Sequence, residues 1–295
     1  MEDVPPPPEF LDVPTLLEAS TPRPRIPWAW YVGGGFLVLL VASALAGQES
    51  EPARQAIELL SMLLFVGMMV GLFVLTAVTV RKLRAEQQAV EGVGELVQLR
   101  RWPQAAWMLQ NLLLQPCRTH ALRAQALIYL SAVLARYHRF NDAITVQEYL
   151  LENDLTDPST AYGLRLGRAM AMLREDHLFD ADRAISDLRR NGPTESAGLA
   201  LLEIFRHVKT GHPEDALQVF DDKLTILREQ LGHRVGDAWA LAARAYDLLG
   251  RATEAADAFR RATLLAPTVE LFRRYPEVEK LAGRYQPAQA PAEMV

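Results

Sequence analysis

Two long apolar stretches, followed by a series of amphipathic segments, divide the chain. The first stretch covers residues 28–46 and the second covers residues 59–80, and neither contains a charged residue. An α-helix of about 20 residues spans the roughly 30 Å hydrocarbon core of a bilayer, because it rises about 1.5 Å per residue. The pattern therefore predicts two transmembrane helices. It predicts further helices after residue 81, where no strand-like alternation occurs.

The charges beside the two apolar stretches predict their orientation. Arg23 and Arg25 precede the first stretch, three basic residues lie within residues 81–84, and the loop at residues 47–58 carries three acidic residues and one arginine. Positive charge concentrates on the cytoplasmic side of membrane proteins. We therefore expect both termini in the cytoplasm, with a multi-pass anchor in the inner membrane of a bacterium.

A cleaved signal peptide is an alternative for the first stretch, since Ala44 and Ala46 have the small-x-small spacing of a signal-peptidase site. The 19-residue apolar run is longer than the usual core of a signal peptide, and the segment before it is acidic and Pro-rich. In either case residues 59–80 and their basic flank would leave the rest of the chain in the cytoplasm.

The two apolar stretches carry no group suited to transport. Neither contains an ionisable residue, whereas ion and proton pathways place such residues within the membrane. Gly67 and Gly71 form a G-x-x-x-G pair that lets helices approach closely. This pair predicts either a homodimer through the membrane helices or packing against Gly33–Gly35 within one helical hairpin.

Residues 236–267 contain the clearest repeated unit. Small side chains there lie where two helices could cross, and aromatic side chains lie where they would fill the spaces beside the crossing. The residues that carry the pattern are Trp239, Ala243, Tyr246, Gly250, Ala255, Phe259, Ala262 and Pro267. This unit closely resembles a tetratricopeptide repeat (TPR). The resemblance implies stacked helical hairpins that bind a protein or peptide in a groove lined by the first helix of each pair.

Weaker copies are aligned by the alanine that opens the second helix of each hairpin. The aligned alanines are Ala105, Ala143, Ala184, Ala216 and Ala255, at intervals of 38, 41, 32 and 39 residues. We therefore expect an all-α fold, with a TPR-like α-solenoid of about five hairpins over residues 81–285 after the two transmembrane helices. The uneven intervals predict longer helices or an inserted loop at residues 152–160, and a generic array of α-hairpins is the alternative.

The ends of the chain have a different composition. The leader at residues 1–27 has four consecutive prolines, and the tail at residues 286–295 is rich in Pro and Ala, so both are predicted to be disordered. Residues 268–285 are predicted to form a capping helix or a helix pair interrupted at Pro276, since a repeat array needs a terminal cap.

The TPR resemblance also predicts the residues that line the groove. Carried over position by position, the groove candidates are Ile128, Arg136, Leu173, His177, Leu201, Phe205, Lys209, Arg244 and Asp247. Cochaperone TPR domains hold a carboxylate with Lys and Asn, but Ala240, Arg244, Leu201 and Phe205 occupy those positions here. A heat-shock chaperone client is therefore not expected. The mixed apolar and Arg lining suits an extended peptide or an amphipathic helix.

Charge and composition exclude several other functions. The net charge of −5 lies before residue 81, and the remainder carries 28 residues of each sign, so no nucleic-acid partner is expected. One cysteine excludes a disulfide framework, and the six histidines form no H-E-x-x-H pattern. We therefore predict no catalytic residue, no metal and no cofactor.

These observations favour a membrane-anchored scaffold or adaptor that docks a partner protein at the cytoplasmic face. Two alternatives stay open. One is an accessory subunit of a membrane-bound assembly complex, which resembles in outline the cytochrome c maturation component with two membrane helices and a TPR domain. The other is an enzyme without a recognisable motif.

Overall fold

The computed structural model describes residues 11–22, 33–35, 37, 51–193 and 195–285. All regular elements within these residues are helices, in agreement with the predicted all-α fold. The chain divides into two compact units, Met1–Tyr137 and His138–Val295, which are considered separately. The predicted tail at residues 286–295 lies outside the described residues.

The first unit contains four described helices. They are α1 (Val13–Ala19), α2 (Glu51–Gln98), α3 (Trp102–Leu113) and α4 (His120–Arg136). The C-terminal part of α2 packs against both α3 and α4. Val93, Ala105, Leu109 and Leu130 are fully buried in this core. The apolar stretch at residues 59–80 thus continues without a break into the first helical hairpin.

Helix α2 is the membrane-span candidate of the described chain. Among the described residues, one helix is long and apolar enough to cross a membrane, over Phe65–Gln98. Large apolar side chains of this stretch are exposed, including Phe73 at 75% and Leu75 at 66%. The first predicted span, residues 28–46, lies outside the described residues except for 33–35 and 37. Two transmembrane helices are therefore not established.

The glycines of the apolar stretch differ in their surroundings. A Cβ atom added to Gly67 or Gly71 would meet no described atom within 4 Å, whereas one added to Gly35 would lie 3.3 Å from the Met68 sulfur. Gly35 therefore approaches α2 closely, but at a different position from the G-x-x-x-G pair. Self-association through Gly67 and Gly71 stays a prediction.

The prediction of a disordered leader is wrong for residues 11–22. Helix α1 begins with Pro14 in its first turn, where a missing N–H costs no hydrogen bond. Leu11, Val13 and Leu16 are at most 1% exposed, and α1 packs against α3. Three apolar side chains close together in a Pro-rich segment are therefore enough to dock it. Residues 1–10 and 23–27 of the leader lie outside the described residues.

Besides a short 3₁₀ helix at Gly232–Arg234, the second unit contains nine described α-helices. They are α5 (Phe140–Glu152), α6 (Pro158–Arg174), α7 (Leu178–Asn191), α8 (Ala197–Lys209), α9 (Pro213–Leu231), α10 (Val235–Leu248), α11 (Ala252–Leu265), α12 (Thr268–Arg274) and α13 (Pro276–Tyr285). Helices α6 and α7, α8 and α9, and α10 and α11 form successive antiparallel hairpins. The first helices of these hairpins, α6, α8 and α10, also contact their neighbours in order. This arrangement is the stacking expected of TPR-like repeats.

Five of the turns that connect consecutive helices of the described chain contain one residue with a positive φ angle. These residues are Arg100 (58°), His138 (60°), Asp176 (59°), Gly211 (77°) and Gly250 (72°). After Arg100, Asp176, Gly211 and Gly250, the next amide closes the turn by donating to a carbonyl five residues earlier, as Arg251 N does to Tyr246 O at 2.9 Å. This is the Schellman geometry that ends a helix with a left-handed residue.

The shared turn corrects one repeat alignment. Gly250 precedes the buried Ala255 by five positions, and the same spacing from Asp176 leads to Ala181, which is 0% exposed. Ala184 lies one turn later and is 8% exposed, so the alignment on Ala184 is wrong. With Ala181 the intervals become 38, 38, 35 and 39 residues.

The corrected intervals also locate the extra residues. They lie in longer helices, with 17 residues in α6 and 19 in α9. The predicted inserted loop at residues 152–160 is wrong, because only residues 153–157 separate α5 from α6.

The packing predicted for residues 236–267 is confirmed. Ala243, Ala255 and Ala262 are fully buried at the contact between α10 and α11. Trp239 packs edge to face on Phe220 of the preceding hairpin, with ring centroids 4.8 Å apart. Small residues thus let the paired helices approach, while aromatic residues join successive hairpins.

Gly250→Ala tests the left-handed turn. A Cβ at Gly250 would meet no described atom within 4 Å, so the substitution acts through the backbone alone. We expect a loss of about 1 kcal/mol in the free energy of unfolding, the cost of a left-handed L-residue. The control is Gly283→Ala in α13, which also faces open space but has no positive φ. There we expect a gain of roughly 0.5 kcal/mol. Equal effects of the two substitutions in urea unfolding would contradict this interpretation.

Candidate protein-interaction groove

The groove candidates of the second unit lie on three neighbouring helices. Leu173 is near the end of α6, Leu201 and Phe205 are on α8, and Arg244 and Asp247 are on α10. Because α6 contacts α8 and α8 contacts α10, this arrangement brings the positions to adjoining helices. The groove is defined hereafter as the surface formed by these residues and Lys209.

Helix α13 covers the groove at α8. The Tyr275 ring, immediately before α13, meets the Phe205 ring edge to face, with centroids 5.1 Å apart. Glu277 lies 3.3 Å from Lys209, measured between Oε1 and Nζ. Phe205 and Tyr275 are both 0% exposed, and Leu201 is 3% exposed. The chain's own C-terminal segment therefore occupies this part of the groove.

The same helix covers the groove at α10. Arg284 Nη1 donates to Asp247 Oδ1 at 2.7 Å, and the Tyr285 hydroxyl donates to the same oxygen at 3.1 Å. Arg244 Nη1 donates to the other carboxylate oxygen at 2.6 Å. Burial opposes ionisation of Asp247, but the hydrogen bonds from Arg284 and Tyr285 outweigh it and hold its pKa below the usual value. Asp247 therefore anchors the end of α13.

A buried polar cluster lies where α12 joins α13. Asp237, in the first turn of α10, is 0% exposed and accepts from Arg274 Nη1 at 2.6 Å. The Arg174 guanidinium lies 5.9 Å from the centre of the Tyr275 ring, and burial lowers its pKa. Burial likewise raises the pKa of Tyr275. The cluster therefore holds charged groups in surroundings of low polarity.

Several polar atoms of this cluster lack hydrogen-bond partners among the described residues. They are Arg174 Nε, Asp237 Oδ2, the Tyr275 hydroxyl and Glu277 Oε2. Most buried polar groups in native proteins are paired, and an unpaired one is costly. The polar contacts beneath the C-terminal segment are thus incomplete, even though its apolar contacts are fully buried.

The remaining groove candidates lie elsewhere. In the first unit, the Arg136 guanidinium lies 5.7 Å from the centre of the Trp102 ring, and Ile128 is half-buried. His177 is exposed at the start of α7. Neither Arg136 nor His177 joins the cluster under α13.

Sequence reasoning missed the residues that cover the groove. Tyr275, Val278 and Leu281 recur at a helical spacing of three, which indicates an apolar stripe and not the polar outer face expected of a terminal cap. That stripe is the signal that could have identified α13 as a groove-covering helix.

Other reactive groups of the described chain form no site. Among the described residues, no group of three or more His, Cys, Asp or Glu side chains could hold a metal ion. Cys117 is buried, and burial together with the nearby Glu86 carboxylate raises its pKa to about 12. Its thiol is therefore protonated and unreactive near neutral pH.

Comparisons with known proteins give one structural likeness. No protein-family model matches the sequence, and no curated protein matches it at a significant level. The structure is similar to that of a thermophilic TPR protein from Thermus thermophilus, with 19% identity and a TM-score of 0.48, over 66% of this chain and 100% of that chain. The repeated left-handed turns and buried alanines show a TPR-like fold of helical hairpins.

Proposed function

We propose that this protein is a scaffold anchored in a bacterial inner membrane, where it docks a partner protein at the cytoplasmic face. TPR-like repeats suit this role, because stacked hairpins create an extended surface for a protein ligand. The observation that carries the membrane part is the continuity of α2, which runs from the exposed apolar stretch into the core of the first unit. Because α2 has no break, the proposed anchor and the first helical hairpin are parts of one rigid helix.

The docked helix α1 supports an anchor that crosses the membrane twice. Residues 11–22 precede both apolar stretches, yet they pack in the same unit as α3 and α4, which follow them. The two flanks must then lie on one side of the membrane. If α2 crosses the bilayer, residues 28–46 have to cross it as well. The basic residues Arg81, Lys82 and Arg84 favour the cytoplasm as that side.

Cysteine labelling in intact cells tests this topology. We expect a thiol placed by Ser50→Cys, in a Cys117→Ala background, to react with a membrane-impermeant maleimide, because the loop would lie outside the cytoplasm. The matched variant Ser196→Cys should react only after lysis. Labelling of both sites in intact cells, or of neither, would contradict the proposed arrangement. Cys117 is the single cysteine of the sequence, so after its replacement the introduced thiol has no competitor.

Co-purification tests the docking role. Proteins retained by the full chain in detergent should be lost when residues 81–295 are removed and the apolar stretches are kept. An identical set of retained proteins from both chains would overturn the scaffold function.

A further inference from the structure

Helix α13 has the chemistry of a bound ligand. Val278 and Leu281 form its apolar face, which Tyr275 extends immediately before the helix, and all three are 0% exposed. Its N-terminal half presents Glu277 to Lys209, and its C-terminal end presents Arg284 to Asp247. An amphipathic helix with apolar anchors at helical spacing is a common way for one protein to fill the groove of another.

We propose that α13 is an intramolecular occupant of the groove, and that the partner supplies an amphipathic helix of the same chemistry in its place. Such a helix carries an aromatic residue, an acidic residue two positions later, apolar residues three and six positions after the aromatic one and a basic residue at its C-terminal end. The inference deepens the proposed docking role and rests on it. It names the surface used and the kind of segment that binds there.

Helix α13 does not satisfy every polar atom beneath it, so another helix could bind the groove more tightly. Two atoms beneath the C-terminal segment, Arg174 Nε and Asp237 Oδ2, have no hydrogen-bond partner among the described residues, although Arg234 lies 3.5 Å from Asp237 Oδ2. A partner helix that forms a hydrogen bond with either atom gains over α13, because a buried polar atom without a hydrogen bond is costly. The Tyr275 hydroxyl and Glu277 Oε2 of the displaced segment also lack partners among the described residues, so they gain hydrogen bonds to water when it leaves. The C-terminal anchor is also accessible, since the Arg284 side chain is 65% exposed.

Helix α13 is short, so it has little helical stability of its own to lose when it leaves the groove. It has 10 residues, and isolated helices of that length are marginal in water. Tyr275 at its start has an extended backbone (φ −136°, ψ 82°), which separates α13 from α12. Its helical structure therefore depends on the groove, and it can separate from α12 at this residue.

Tethering explains why a weak occupant still fills the groove. A segment joined by a short connection has an effective concentration in the millimolar range. A free peptide of residues 274–285 should accordingly bind the full chain poorly. Weakening α13 within the chain, while leaving the groove unchanged, should let the free peptide bind.

Fluorescence anisotropy with a labelled peptide of residues 274–285 tests this competition on the full chain in detergent. We expect the variant Arg284→Ala with Tyr285→Phe to bind the peptide at least about tenfold more tightly than the unmodified chain. Lys280→Ala is the matched control, because Lys280 is an exposed cation on the same helix. Its affinity should equal that of the unmodified chain.

A peptide carrying Tyr275→Ala should lose binding to the weakened variant, because it lacks the ring that meets Phe205. Equal affinity of the peptide for the weakened variant and the unmodified chain would overturn the inference. A weakened chain that forms dimers by light scattering would overturn it too, because a second copy would then be the occupant. The peptide readout does not depend on the co-purification result, so either can fail alone.

A chain ending at residue 273 gives a second, independent test, because it removes the occupant entirely. Circular dichroism first establishes that this shorter chain is folded. A folded chain that does not bind the peptide overturns the inference, and binding supports it.

Discussion

Replacing Arg274 with alanine is expected to lower the free energy of unfolding of the C-terminal unit by about 3–5 kcal/mol, the usual cost of removing one partner from a buried ion pair. Arg274 Nη1 is 2.6 Å from Asp237 Oδ1, and Asp237 is 0% exposed. Arg234 approaches the second carboxylate oxygen only to 3.5 Å. The substitution therefore leaves a carboxylate buried in α10 without its closest cation, with Arg234 and Arg174 as more distant ones. Urea unfolding followed by circular dichroism measures the loss.

Two further variants distinguish a stability loss caused by breaking the Asp237–Arg274 pair from one caused by removing any positive charge. Arg273→Ala removes the same charge from the adjacent position and should change stability by less than about 0.5 kcal/mol. Asp237→Asn combined with Arg274→Ala should recover part of the loss, because the carboxylate that needs a cation is then absent. Similar losses for Arg273→Ala and Arg274→Ala would show that Asp237 does not depend on Arg274.

The repeats differ in how much of their structure could be predicted from sequence. Gly250 and the small residues around it define the last hairpin, because glycine is the expected residue in a left-handed turn. The first three turns instead use Arg100, His138 and Asp176 in that conformation. A left-handed arginine or histidine has no sequence signature, so those repeats could be aligned only by their alanines. Alanines alone do not distinguish Ala184 from Ala181, which lies one turn earlier in the same helix.

The groove was harder to predict than the repeats. Repeat positions place Leu201, Phe205 and Asp247 on first helices, and the structure does so too. Whether such positions face solvent or a segment of the same chain depends on contacts between residues far apart in sequence, such as Asp247 with Arg284. A single sequence contains no direct signal for that pairing. The position of α13 therefore emerged only from the structure.

The docked part of the leader, residues 11–22, also depends on contacts between residues far apart in sequence. Arg123 makes several of these contacts. Arg123 is 3% exposed and donates to Ser20 Oγ at 3.0 Å and to the Leu17 carbonyl at 2.6 Å. Cys117 N also donates to the Ser20 carbonyl at 3.1 Å. A cation at the C-terminal end of a helix satisfies carbonyls that have no partner within the helix. Thus a buried arginine of α4 caps α1.

Arg123→Ala is expected to release α1 and to destabilise the first unit by about 3 kcal/mol, since hydrogen bonds from a charged donor contribute roughly 1.5–3 kcal/mol each. Helix α1 has only seven residues and cannot persist without its packing. Hydrogen exchange should therefore become fast at the amides of residues 16–20 while α3 remains protected. Arg101→Ala, which removes an exposed arginine of the same unit, should leave this exchange unchanged. Continued protection of residues 16–20 in Arg123→Ala would show that the apolar contacts of Leu11, Val13 and Leu16 hold α1 by themselves.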